Sequence, residues 1–172
     1  MKAIRILRAI LRLLYFFSIL NGLFLPITFI IASNADVIFQ ISGYLLSNHH
    51  WSFYLVMILF FVGYLFFVMM LYHLKNAAFK ITPKQLFNDQ IANSLKKAGW
   101  FCIIGVVLMN VPAWIYHLFS LMQNIDLGNS AVRIESGFGA TLVIVSFGLF
   151  LVILSKLASE GVKLKQENDL TI

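Results

Sequence analysis

Four stretches of the chain, residues 13–35, 37–74, 98–125 and 136–155, contain no Asp, Glu, Lys or Arg. Each is long enough to cross a bilayer as a helix, because about 20 residues span the ~30 Å hydrocarbon layer. Composition agrees: 60% of the residues are hydrophobic and 12% charged, against roughly 45–50% and about 25% in an ordinary soluble domain. A globule of 172 residues cannot hide that surplus, since small domains leave much of their surface wet. Lipid is the expected solvent. Spans are expected near residues 13–32, 53–72, 99–122 and 138–157 of a single membrane domain, 1–172, with a loop at 73–98 and a tail at 158–172. The runs do not alternate as barrel strands do, and an open sheet would leave unpaired backbone groups in lipid. The expected fold is all-α, an integral membrane four-helix bundle with short interfacial helices.

Basic residues orient it. Lys2, Arg5, Arg8 and Arg12 precede the first span, Lys75, Lys80, Lys84, Lys96 and Lys97 lie between the second and third, and Lys156, Lys163 and Lys165 follow the fourth. Arg133 alone falls on the other side, beside Asp36, Asp126 and Glu135. Lys and Arg mark cytoplasmic segments, so both termini and the central loop are expected in the cytoplasm. Tyr15, Tyr72 and Trp100 then fall near the inner boundary, and Trp51, Tyr54, Trp114 and Tyr116 toward the outer one, the two zones that amphipathic rings prefer. Ser33-Asn34-Ala35 loosely fits a signal-peptide cleavage site. The preceding apolar run exceeds the usual 7–15 residues of a signal core, which favours an uncleaved signal anchor.

Three segments read as helices along the membrane. Lys2, Arg5, Arg8 and Arg12 recur at helical spacing, a basic face for the membrane surface that either lies flat or anchors the end of span one. Thr82-Pro83 reads as an N-cap and first helical position, with Phe87, Ile91 and Leu95 repeating behind it, so a helix is expected from Pro83 into span three. On the outer side Val37, Ile38, Ile41 and Leu45 share helical spacing behind Asp36. Residues 128–136 read as a loop.

The chemistry searched for is sparse. The charge-free stretches hold no ionisable Asp, Glu, Lys or Arg at depth, where such groups usually mark ion coupling or catalysis. One cysteine, Cys102, excludes a disulfide within the chain and reads as a packed thiol. His49, His50, His73 and His117 lack a metal-ligand spacing. No nucleophile elbow, phosphate loop or dinucleotide fingerprint occurs, Gly137-Phe138-Gly139 being only a glycine pair at a helix start. No catalytic residue, metal or cofactor is therefore assigned. Asn21, Thr28, Asn110 and Ser146 are expected to bond across helices, and Ser155 and Ser159 form a small-residue pair at the inner end of span four. The chain closes on Glu167-Asn168-Asp169-Leu170-Thr171-Ile172, whose last apolar residues alternate as an extended strand would. Such an end packs against the chain's own central loop or suits capture by a sheet edge or a backbone nest.

Gly63-Tyr64, Leu71-Tyr72-His73-Leu74, Leu86-Phe87, Lys96-Lys97-Ala98-Gly99-Trp100 and the closing hexapeptide together carry a resemblance. The chain resembles a family of small bacterial four-span membrane proteins known as domain of unknown function 2975. The resemblance implies a bacterial plasma (inner) membrane location and supplies no activity. It also implies a helix-turn-helix regulator as a neighbour, by association alone.

The expected function is that of a non-enzymatic integral membrane protein, regulatory or partner-anchoring through its cytoplasmic loop and tail; the alternative is a small transporter or channel component. Lys2, Arg5, Arg8 and Arg12 are the expected membrane-surface contacts, and Glu167, Asn168, Asp169, Leu170, Thr171 and Ile172 the expected partner contacts. The bilayer is the first partner. A cytoplasmic protein such as that regulator and a second copy of the chain are the other candidates, with no direct contact to nucleic acid.

Overall fold

The computed structural model of the protein describes residues 2–34, 39–41, 44–46, 51–81, 88–122 and 137–169. Four long helices dominate: α1 (Lys2–Asn34), α2 (Trp51–Lys80), α3 (Asp89–Met122) and α4 (Gly137–Asp169). Each has 30 to 34 residues, so each is roughly 45–50 Å long and outreaches the hydrocarbon layer. Within them Ile4–Ile27, Tyr54–Lys80, Asp89–Val111 and Gly139–Asn168 are long and apolar enough to cross a membrane. The protein is a multi-pass helical membrane protein.

The helices pack in chain order. The largest interface joins α2 to α3, the next α3 to α4, and a smaller one α1 to α2; among the described residues no other helix pair shares a substantial contact. Early residues of each helix meet late residues of the next, so neighbours run antiparallel. The central element is α3, with 44% of its apolar window buried against 6% for α1. Six of its buried residues fall on two adjoining rows with a period of seven, Ile91, Ala98 and Gly105 on one and Ala92, Gly99 and Val106 on the other, with Ser94 and Cys102 buried beside them. Across from them α2 buries Val56, Gly63, Met70 and Ala77, and α4 buries Gly148, Leu151, Ser155 and Ala158. Seven-residue spacing keeps a contact seam facing its partner in left-handed helix packing.

Small residues set the closeness of these seams. A Cβ added at Gly63 would lie 2.8 Å from the Gly105 carbonyl oxygen, and one added at Gly99 would lie 2.6 Å from that of Gly148. Lipid tails are as apolar as leucine, so association in the bilayer depends on such close packing. Between the two crossings sits a core of Met70, Leu71, Ala98, Cys102 and Leu151, with Tyr15 of α1 packed against it. The outward faces stay apolar, with Leu23 66% and Val143 69% exposed, as lipid-facing residues are.

Local structure departs from the sequence reading at two places, the outer segment and the start of α3. The outer segment expected to be an interfacial helix pairs instead as an antiparallel hairpin, β1 (Phe39–Ile41) with β2 (Tyr44–Leu46), in the register Ile41 to Tyr44. That register leaves Ser42 and Gly43 between the strands, a turn-favouring pair flanked by aromatic and β-branched residues. The basic start is continuous with the first span, since α1 runs unbroken from Lys2 through Pro26 to Asn34. The helix leading into span three begins at Asp89, not Pro83: Asn88 is its cap, its Oδ1 accepting from the Gln90 N–H at 3.0 Å and its carbonyl from Ile91 at 2.9 Å. Asp89 adds a favourable charge at that helix start. Thr82 to Phe87 lie outside the described residues. Helix α4 continues through Asp169, and Leu170, Thr171 and Ile172, on which the extended reading of the end rests, lie outside the described residues.

Candidate interaction surface at the basic end

The inner face of α1 steps through Ile4, Arg8, Leu11, Tyr15, Ser18 and Gly22, the less exposed positions of its first six turns. Alternating steps of four and three keep these residues on α2. Arg8 is therefore turned inward. Its Nε donates to the Ala78 carbonyl at 3.0 Å and its Nη2 to that of Ile81 at 2.5 Å. Those carbonyls belong to the end of α2, where acceptors lack helical partners and a cation is favoured.

Cations and rings then alternate along the α1–α2 seam. The Arg8 and Arg12 guanidinium carbons lie 5.6 and 5.1 Å from the centre of the Phe79 ring. In the opposite sense, Lys75 Nζ of α2 lies 4.1 Å from the Tyr15 ring centre and 5.2 Å from that of Tyr72. The Tyr15 and Tyr72 rings are themselves 6.0 Å apart. Deeper along the seam the Tyr64 hydroxyl donates to the Ser18 carbonyl at 2.7 Å, its ring lying over Gly22.

On the other side of α2, Phe101 of α3 inserts between Phe66 and His73, stacking on the imidazole at 5.4 Å and 21°. The surroundings of His73 are thus aromatic. Cys102 is buried, and its thiol donates to the Ile144 carbonyl of α4 at 3.6 Å. Among the described residues no three His, Cys, Asp or Glu side chains gather where they could hold a metal.

Of the residues expected to contact the membrane surface, Lys2 begins α1, Arg5 and Arg12 are exposed, and Arg8 is half-buried against α2. Of those expected to contact a partner, Glu167 and Asn168 are exposed near the end of α4 and Asp169 closes that helix. The two sets share one end of the array but not one patch, since α1 and α4 have no substantial interface. Sequence reasoning also expected interhelical bonds from polar side chains. Asn21 and Ser146 are exposed, and Asn110 Nδ2 donates to the Val106 carbonyl of its own helix at 2.8 Å; Thr28 lies outside the described side chains. Among the described residues Arg8, Tyr64 and Cys102 each donate to a backbone carbonyl of another segment. Ser155 is buried in the α3–α4 packing, as its small size suggested. His49, His50 and His117 lie outside the described residues or side chains.

Adjacent residues of the resembling motifs divide between two neighbours. Gly63 meets α3 while Tyr64 meets α1, and Ala98 is fully buried beside Gly99, which meets α4, whereas Trp100 is 51% exposed. No curated protein and no solved structure matches the chain. A family model described as "Protein of unknown function (DUF2975)" matches residues 38–172, from β1 to the end of the chain. With α2, α3 and α4 all inside that match, the chain belongs to this family of unknown function.

Proposed function

We propose that the protein is a non-enzymatic membrane anchor with a regulatory role, holding a cytoplasmic protein through its central loop and tail. The observation that carries this reading is the length of α4. The helix continues unbroken to Asp169, so its last twelve or so residues project about 18 Å past the expected span. Leu164 is 66% exposed on that extension, between Lys163 and Lys165. The Lys163–Glu160 ion pair at 2.9 Å is exposed at both ends, and such pairs contribute little stability. With the expected topology this extension lies in the cytoplasm, and a helix presenting an exposed leucine there suits a partner's groove.

The transport alternative has less support. The seams that would have to part to form a lumen close backbone to backbone at Gly63–Gly105 and Gly99–Gly148. A photo-reactive residue replacing Leu164 in the full chain, in living cells, tests the anchoring role. The expected result is one dominant cytoplasmic adduct, lost when residues 163–172 are deleted while membrane insertion persists. Recovery of the same partner by the truncated chain contradicts the reading. Solute flux in proteoliposomes above empty-vesicle background contradicts it equally.

A further inference from the structure

The α1–α2 seam gathers Arg8, Arg12 and Lys75 on three aromatic rings with no described carboxylate in ion-pair contact with any of them. Arg8 is accounted for by the two carbonyls it caps. Arg12 and Lys75 are not. Each is held by a ring of the other helix, Arg12 of α1 over Phe79 of α2 and Lys75 of α2 over Tyr15 of α1. Arg12 is one turn from Tyr15, and Lys75 one turn from Phe79, so the two clasps are neighbours on one stretch of seam. Two cations on one stretch of seam with no described carboxylate to offset them would attract an anion.

We propose that Arg12 and Lys75 form a site for the phosphate of an anionic phospholipid headgroup in the cytoplasmic leaflet. Depth supports a lipid source. Tyr15 and Tyr72 are aromatic residues of the kind that sits at headgroup level, and basic pockets between membrane helices at that level hold anionic headgroups. Access supports it too, since Arg12, Tyr72 and Phe79 are exposed and Lys75 is half-exposed at the groove. The acyl chains would descend along the apolar outer face of α1, where Phe16 and Phe17 are each 60% exposed. The site differs from a merely basic surface because the cations are oriented by rings, and it is independent of the partner role of the tail.

The test uses the full chain in a neutral detergent, with binding read by native mass spectrometry against added phosphatidylglycerol or phosphatidylcholine. The wild-type protein is expected to retain phosphatidylglycerol selectively. Arg12→Gln with Lys75→Gln is expected to weaken that retention about tenfold, while Lys163→Gln with Lys165→Gln, the same loss of charge elsewhere, leaves it unchanged. Equal retention of both lipids, or equal weakening by the two charge-loss pairs, overturns the proposal. Competition by inorganic phosphate at concentrations comparable to the lipid overturns the lipid assignment. A wild-type arm covers a double variant that fails to fold: a photo-activatable phosphatidylglycerol in vesicles of the same lipid is expected to label peptides containing residues 12–17 and 72–79, and labelling concentrated on α3 and α4 contradicts the site.

Discussion

Replacing Gly99 by alanine tests the central contact of the array. The added Cβ would lie 2.6 Å from the Gly148 carbonyl oxygen, 2.7 Å from Val152 Cγ2 and 3.1 Å from the Val152 nitrogen. Ordinary carbon contacts lie near 3.5–4.0 Å, so α4 must retreat by a sizeable fraction of an ångström. Two of the three obstructing atoms are backbone and cannot rotate away. Overpacking of this kind costs about 1–3 kcal/mol, opposed by up to ~1 kcal/mol of helix propensity gained when glycine becomes alanine. Gly139 supplies the control, because a Cβ there meets nothing within 4 Å. Gly139→Ala is expected to change stability by no more than that propensity gain. Reversible unfolding in mixed micelles by added dodecyl sulfate, followed by circular dichroism, measures both. Gly99→Ala should fall below Gly139→Ala by about 1–3 kcal/mol, and adding Val152→Ala should restore only part of the loss, since the carbonyl contact remains. If Gly99→Ala is as stable as Gly139→Ala, α3 and α4 do not touch backbone to backbone and the packing described here is wrong.

Three further outcomes follow from the helix contacts. Tyr64→Phe removes the donor to the Ser18 carbonyl and should lower stability by about 0.6 kcal/mol, the average for such bonds in membranes; an unchanged unfolding curve refutes the bond. Arg8→Gln removes two charge-assisted bonds to the end of α2 and should cost roughly 1–2 kcal/mol, more than Arg5→Gln at its exposed site, and equal effects would show that Arg8 is not a cap. Cys102, buried at 2% exposure, should react with a membrane-permeant maleimide only as fast as the protein unfolds, so rapid labelling of the folded protein contradicts its burial.

The sequence discloses the helices far better than their arrangement, for a physical reason. Charge is excluded from the hydrocarbon layer, so the four charge-free runs stand out. Both the protein core and lipid are apolar, however, so Met70 in the core and Leu65 on the surface look alike in composition. Only the seven-residue recurrence of Val56, Gly63, Met70 and Ala77, and of Ala92, Gly99 and Val106, marks the buried rows, and glycine was the telling residue type. The outer segment misled because Ile41 and Leu45 fit a helical period while Phe39–Ile41 and Tyr44–Leu46 fit a period of two. At the start of α3 the cap is Asn88, a residue the sequence reading passed over in favour of Thr82-Pro83, which lie outside the described residues. The basic residues of α1 were legible as a charged face. The cation–ring contacts of the seam were not, because Phe79 is far from Arg12 in the chain and Lys75 equally far from Tyr15.

The most direct test is the sidedness of the late part of α4 and of the segment that precedes that helix. In a Cys102→Ser background, a single cysteine at Lys165 and another at Asn129 are challenged in intact cells with a membrane-impermeant maleimide. The account predicts labelling at position 129 in intact cells and at position 165 only after the membrane is permeabilised. Labelling at 165 in intact cells, or at both positions alike, contradicts a four-span chain with its basic end in the cytoplasm.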